Sequence, residues 1–264
     1  MNYIIILFFI ILGSLFTYHV IVEPIYAFFF RKPIYVHFYP FPSRLTKPQK
    51  EILKTEFEFY QTLSPIHKKY FEHRVANFLE TYVFLGREEF EITDQVKVLI
   101  ASTSVMLTFG MRKYLFAEIN KVIVFPDIYY SSFTKEYHKG ELNINAKAIV
   151  FSWKHFLEGY KISNDNLNLG LHEFSHLVHF SGTQNSDTSS AIFAKGFSEI
   201  LEMLKSPKNQ EYFIQSGYFR TYAYTNQFEL LAVMLEHFFE TPKEFKKKFP
   251  ELYEKVREMI NFAV

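Results

Sequence analysis

Three side chains in one short stretch have the types and spacing for metal-assisted hydrolysis. In Leu171 to Phe180, reading LHEFSHLVHF, the residues His172, Glu173 and His176 form the pattern H-E-x-x-H. Residues four apart share a helix face, so both imidazoles can reach one cation while Glu173 sits beside them. Neutral imidazole is a good zinc ligand, and a catalytic zinc takes three protein ligands and keeps one position for water. A neighbouring carboxylate can accept that water's proton. The bland reading is a half-buried helix that matches the pentapeptide by chance. Leu167, Leu171, Phe174, Leu177 and Val178 recur at helical spacings, with Ser163 as N-cap.

Two histidines leave such a site one ligand short. With no cysteine in the chain, the missing group is His, Asp or Glu from another element. His179 lies three residues beyond His176 and cannot easily wrap onto the same face of the ion, so it reads as a neighbour of the site or a surface group. Glu199 sits in a helical stretch closer in sequence. Glu229 and Glu236 lie seven apart in QFELLAVMLEHFF, on one helix face two turns apart. A carboxylate among Leu230, Leu231, Val233, Met234 and Leu235 needs a partner if buried, and a metal is one such partner. Asn226 to Glu229 also fits a capping box, which would make Glu229 structural. Periodicity alone does not choose between the two.

The elements that must position these groups come from the rest of the 264 residues. Hydrophobic content of 48% is ample for a core, and 32 Phe and 18 Tyr against one Trp make that core aromatic. A net charge of +1 without a basic cluster argues against a nucleic-acid binder. The absence of cysteine excludes disulfides, thiolate zinc sites and a cysteine nucleophile together. Tyr3 to Val22 carries no formal charge and is long enough, as a helix, to cross about 30 Å of hydrocarbon, ending at Glu23 and Pro24. Met1-Asn2 lacks the basic residue of a secretory signal, so residues 1–30 read as an uncleaved anchor with Tyr18 and His19 near an interface. Arg31, Lys32, Arg44, Lys47 and Lys50 all follow the span, which places the remaining chain in the cytoplasm.

Residues 31–48 are rich in Pro and aromatics, an extended connector packed on a domain that runs over 49–264. Lys50 to Leu63 and Ile66 to Val83 read as helices split at Ser64-Pro65, with His67 and His73 at the surface or core edge. Thr93 caps a third helix that runs through Phe109 and closes at Gly110. Lys121 to Pro126 and Ala148 to Trp153 read as strands of one hairpin turning near Lys139-Gly140. The second of them could be an edge that holds an extended peptide. Residues 181–190 (SGTQNSDTSS) read as a mobile loop beside the site. Thr241, Pro242 and Glu244 start a last helix, with Lys246 to Lys248 solvated and Phe245, Phe249, Leu252 and Met259 turned to the core.

The order LHEFSH and then FELLAVMLEHFFETPKEFKKKFPELYEKV resembles the Mlc titration factor A family of glucose-regulated zinc metallopeptidases. That family carries HEFAH, then EFFAV, a second Glu, FF and a P-x-LY close. TDQVKVLIA, KVIVFP and IVFSW extend the resemblance from about Phe41 to the C-terminus. A more distant similarity is to the catalytic domain of anthrax lethal factor. The resemblance implies His172, His176 and Glu229 as zinc ligands and Glu173 as general base. It also implies Tyr222, seven residues before Glu229 in TYAYTNQFE, as a catalytic hydroxyl, with Tyr224 the obvious confusion. Glu236 then becomes a partner for a ligand imidazole or a buried structural carboxylate. His179 stands where the family has an Asp that could orient a ligand imidazole.

The expectation is therefore an α+β, zincin-like metallopeptidase, mostly helical with a small mixed sheet, behind one transmembrane helix. Its cofactor would be Zn2+ and its substrate a peptide or protein, with no nucleic acid involved. The family name adds a protein regulator as partner, and the rival class is a regulatory binding protein that sequesters it, peptide hydrolysis being incidental. An intramembrane protease is disfavoured, because Asn164, Asp165, Asn166 and Asn168 precede the motif where an apolar span would be needed.

Overall fold

The computed structural model describes residues 2–162, 164–184 and 187–263. The chain opens with α1 (Asn2–Thr17), a π-helical turn (Tyr18–Val22) and α2 (Glu23–Phe30), which together make one continuous rod. From Tyr3 to Phe30 it is long and apolar enough to cross a membrane, and its most apolar window is fully exposed. Glu23 and Pro24 do not end it as expected. The π turn shifts the hydrogen bonding by one residue, with Glu23 N–H reaching the Tyr18 carbonyl. That shift accommodates a proline whose ring and missing N–H would otherwise break the ladder. Glu23 is buried instead, held by the Arg112 guanidinium (Nη1 to Oε2 3.1 Å, Nη2 to Oε1). The Tyr35 ring lies 4.0 Å from that guanidinium, and the Arg112 N–H donates to Ser189 Oγ at 2.9 Å.

The aromatic stretch after Arg31 packs on the folded region as expected. His37 stacks on Tyr70, Arg74 donates to Tyr39 Oη at 2.6 Å, and Ser43 N–H donates to His73 Nδ1 at 2.8 Å. His73 is thus buried, not a surface residue. The connector ends earlier than Pro48. Thr46 and Gln49 form a reciprocal capping box that starts α3 at Lys47, and Pro48 fits its first turn, where no N–H is needed. The expected first helix is divided at Phe57 into α3 (Lys47–Glu56) and α4 (Glu58–Thr62), because Phe57 is extended and buries its ring. Then follow α5 (Pro65–Thr81) and α6 (Asp94–Leu107), the latter capped by Thr93 as read from sequence.

The main sheet corrects the hairpin reading. Strands β1 (Val83–Gly86), β2 (Lys121–Phe125), β5 (Gly140–Asn143) and β6 (Ala148–Ser152) are ordered β1-β2-β6-β5. β2 and β6 run parallel, Lys121 opposite Ala148, so no hairpin joins them. Between them the chain leaves through a small ribbon, β3 (Tyr129–Tyr130) with β4 (Tyr137–His138). It returns as β5 and reverses at 144–147 into antiparallel pairing with β6. All five residues of β6 are buried, and strands flank it on both sides, so it is not an edge. The edge is β5. β1 was hidden in sequence: only its first residue, Val83, falls within the helix expected over Ile66 to Val83, and Phe84 to Gly86 carried no assignment.

Helices α7 (Trp153–Lys161), α8 (Leu169–Gln184), α9 (Thr188–Lys205) and α10 (Pro207–Gln215) follow the sheet. The described residues of the polar run 181–190 are mostly helical rather than a loop. Residues 181–184 finish α8, and Asp187 caps α9 by accepting from Ser189 and Ser190 N–H. The residues between, 185 and 186, lie outside the described part. A 3-10 turn (Thr221–Tyr224) leads to α11 (Gln227–Glu240), α12 (Pro242–Lys248) and α13 (Pro250–Met259). Thr241 precedes α12 but does not cap it. Its hydroxyl donates to Asn166 Oδ1 at 2.8 Å instead. One aromatic core binds these layers, and Phe245, Phe249, Leu252 and Met259 belong to it as read from sequence.

Candidate metal centre

The HExxH residues lie on α8, whose position is set by what its other face buries. Leu171, Phe174, Leu177 and Val178 are essentially inaccessible, and the Phe174 ring meets Phe151 of β6 at 5.5 Å and Phe78 of α5 at 6.1 Å. Leu167 is exposed and lies before the helix, against expectation. The proposed cap Ser163 lies outside the described residues. The helix begins five residues later, where Asn168 Oδ1 accepts from Leu171 N–H at 2.9 Å while its Nδ2 donates to the Gly159 carbonyl and to Glu240. This cap fixes the first turn, one residue before His172.

Opposite α8 runs α11, capped by Asn226, which accepts from Phe228 and Glu229 N–H. The cap needs only the Glu229 backbone. Its side chain goes to the histidines: His172 Nε2 lies 3.1 Å from Glu229 Oε2, His176 Nε2 lies 3.7 Å from Oε1, and the two Nε2 atoms are 3.2 Å apart. His172, His176 and Glu229 are the one group of three or more metal-capable side chains found among the described residues, with ligand atoms all within 4.8 Å of one another. An ion bonded to N and O at about 2.0–2.2 Å with tetrahedral angles spaces its ligand atoms roughly 3.3 Å apart, which these contacts approach. Glu229 Oε2 is buried and faces His172 Nε2, so the carboxylate is turned into the space between the two imidazoles.

Electrostatics agree. Burial alone would push His172 down, but hydrogen bonds to Glu229 and Glu236 and the charge of Glu173 outweigh it and carry the imidazole up to about 9. In a metal-free cluster of carboxylates, a proton supplies the positive charge that an ion would bring. His176 is pushed down to about 4 by burial and by its neighbour His172, which keeps it neutral. Glu173 is buried, and desolvation with the nearby Glu229, Glu141 and Glu236 carboxylates outweighs His172 to raise it to about 7. Its carboxylate rests against Gly140 at the start of β5. A Cβ there would sit 2.7 Å from Glu173 Oε1, so only glycine lets the edge strand approach.

Glu236 is 1% exposed and accepts from His172 Nδ1 at 2.9 Å, so it holds the imidazole from the side away from Glu229. Arg220, which sequence reasoning missed, clamps the same carboxylate through Nη1 and, at 3.0 Å, through Nη2, and donates to the Asn166 carbonyl. A lone arginine in a loop carries no spacing signal, and its role shows only in three dimensions. Tyr222 lies two residues on, half exposed, its ring 5.9 Å from His172; burial and the adjacent Glu229 raise its hydroxyl pKa. Tyr224 is turned away, bonded to the Phe213 and Phe219 carbonyls. His179 is not at the surface. It is buried between Phe197 and Phe228 with Nδ1 unpartnered, and burial pushes it down. Glu199 is engaged elsewhere, 2.7 Å from Arg31.

Two histidines from α8 and a carboxylate from α11, backed by a buried glutamate, are a donor set that could hold a metal ion. Residues 40–260 match the glucose-regulated metallo-peptidase M90 family. The chain belongs to that family. It is also 25% identical to an uncharacterized protein of Synechocystis, over 78% of this chain and 80% of the relative.

Proposed function

We propose that the protein is a membrane-anchored zinc peptidase of the zincin type, with residues 1–30 as anchor, 31–48 as connector and 49–264 as the catalytic domain. The observation that carries this is the convergence of His172, His176 and Glu229 beside the buried Glu173. His172, His176 and Glu229 would hold Zn2+. When bound, the ion supplies Lewis acidity toward the scissile carbonyl and acidifies water. Glu173, poised near neutrality, takes the water proton and returns it to the leaving amine. Tyr222 donates a hydrogen bond to the developing oxyanion. Glu236, held by Arg220, accepts from His172 Nδ1 and so leaves Nε2 facing Glu229, as a metal-holding imidazole would need. The free edge of β5 pairs with an extended peptide substrate and lays it across Glu173.

Glu173→Gln should retain zinc and lose hydrolysis by at least about 100-fold, the usual worth of a general base. His172→Ala should lose both. Undiminished turnover by Glu173→Gln would remove the enzyme reading and favour the regulatory binding protein. The basic residues after the span support a cytoplasmic domain, which a reporter fused after Val264 tests.

A further inference from the structure

Helix α2 lies alongside α9 rather than leading away from the folded region. Glu23 is clasped by Arg112 at one end, and Arg31 pairs with Glu199 at 2.7 Å at the other. Between the helices runs a cleft of about 290 Å³. Its apolar walls are Pro24, Ala27 and Phe28 on one side and Ala191, Ile192 and Met259 on the other. Its charged lining is Arg31, Lys195 and Lys255 against Glu199 and Glu258, one positive charge in excess. Arg31 and Lys255 are engaged with these carboxylates, at 2.7 and 3.5 Å from Glu199. Lys195 is not. Its ammonium sits 5.1 Å from the Phe28 ring centre, with no carboxylate partner among the described residues.

The level of this cleft follows from helix rise. Twenty residues from Tyr3 to Val22 span about 30 Å, the hydrocarbon thickness, and eight more to Phe30 add about 12 Å, into the headgroup layer. The exposed rings of Phe28, Phe29 and Phe30 lie in the last turn of α2, at the same level. A cleft with apolar walls, an uncompensated ammonium at its charged part and a membrane span beside it matches an anionic lipid in both parts.

We propose that this cleft binds one anionic membrane phospholipid, an acyl chain lying against Ala27, Phe28, Ala191 and Ile192 and the phosphate beside Lys195. The proposal rests on the anchor reading above, and the test separates the two. Full-length protein released from detergent micelles is titrated with phosphatidylglycerol or with phosphatidylcholine of the same chains, and bound lipid is counted by native mass spectrometry. The expected result is one phosphatidylglycerol held about fivefold more tightly than phosphatidylcholine, the usual worth of one interfacial lysine. Lys195→Glu should abolish that preference, while Lys205→Glu, further along α9, should keep it; unchanged zinc content verifies folding. Equal binding of both lipids, or a preference that survives Lys195→Glu, overturns the proposal. So does displacement by inorganic phosphate at equal concentration, which would reveal a free-anion site. A chain that stays soluble without detergent and takes up neither lipid overturns the anchor reading as well.

Discussion

Glu236→Gln tests how the centre is held. The substitution keeps the shape of a side chain that is 1% exposed, but removes the charge that accepts from His172 Nδ1 at 2.9 Å and receives Arg220. An amide oxygen can still accept from Nδ1–H, yet the guanidinium loses its anionic partner and the imidazole becomes a poorer donor to zinc. Partners of this kind are worth 10- to 100-fold in metal affinity, or about 1.4–2.7 kcal/mol. The amide preserves part of the contact, so a loss near tenfold is expected. Glu229→Ala removes one of the three proposed ligands and should lose far more. Competition against a chromophoric chelator reads both constants directly, without reference to turnover. Wild-type affinity in Glu236→Gln, or a loss equal to that of Glu229→Ala, would refute this division between the two glutamates.

Gly140→Val should place a side chain on Glu173 Oε1, and is expected to lower kcat by more than tenfold with zinc content intact, measured as peptide turnover beside metal analysis. Tyr222→Phe should lower kcat by about 100-fold with KM little changed, as expected for one lost oxyanion donor; a pure KM effect would argue for substrate binding instead. His237 is 4% exposed, and burial and then Arg220 depress it to about 4 from 6.5. Because the folded state resists protonation, its stability is intact above pH 6.5 and declines as pH falls toward 4, by roughly 3 kcal/mol in all. Denaturant midpoints at pH 7 and 4.5 should therefore differ less in His237→Phe than in the wild type.

What sequence could show was decided by the range of each interaction. His172, Glu173 and His176 sit within one turn or so of helix, and a local period converts directly into geometry. Glu229 and Glu236 share a face of α11, so periodicity turns both inward; only the tertiary placement of α11 against α8 sends one to the Nε2 atoms and the other to Nδ1. The sheet order was illegible for the same reason. β2 and β6 have the right residues for strands, but their parallel pairing depends on the route taken between them through β3, β4 and β5. Gly140 looked like a turn residue, when its missing side chain makes room for Glu173. Asn168 took the capping place assigned to Ser163 because helix starts compete over a few residues, and the asparagine also reaches Gly159 and Glu240.

The clasp between Glu23 and Arg112 joins residues 89 positions apart. On a ribosome adding roughly 5–20 residues per second, the carboxylate waits between about 4 and 18 seconds for its partner. On the anchor reading proposed above, the helix would be entering the bilayer during that interval with Glu23 still bare. Glu23 would then wait in the wet headgroup layer, and the clasp would close afterwards, as the later residues fold back onto the helix.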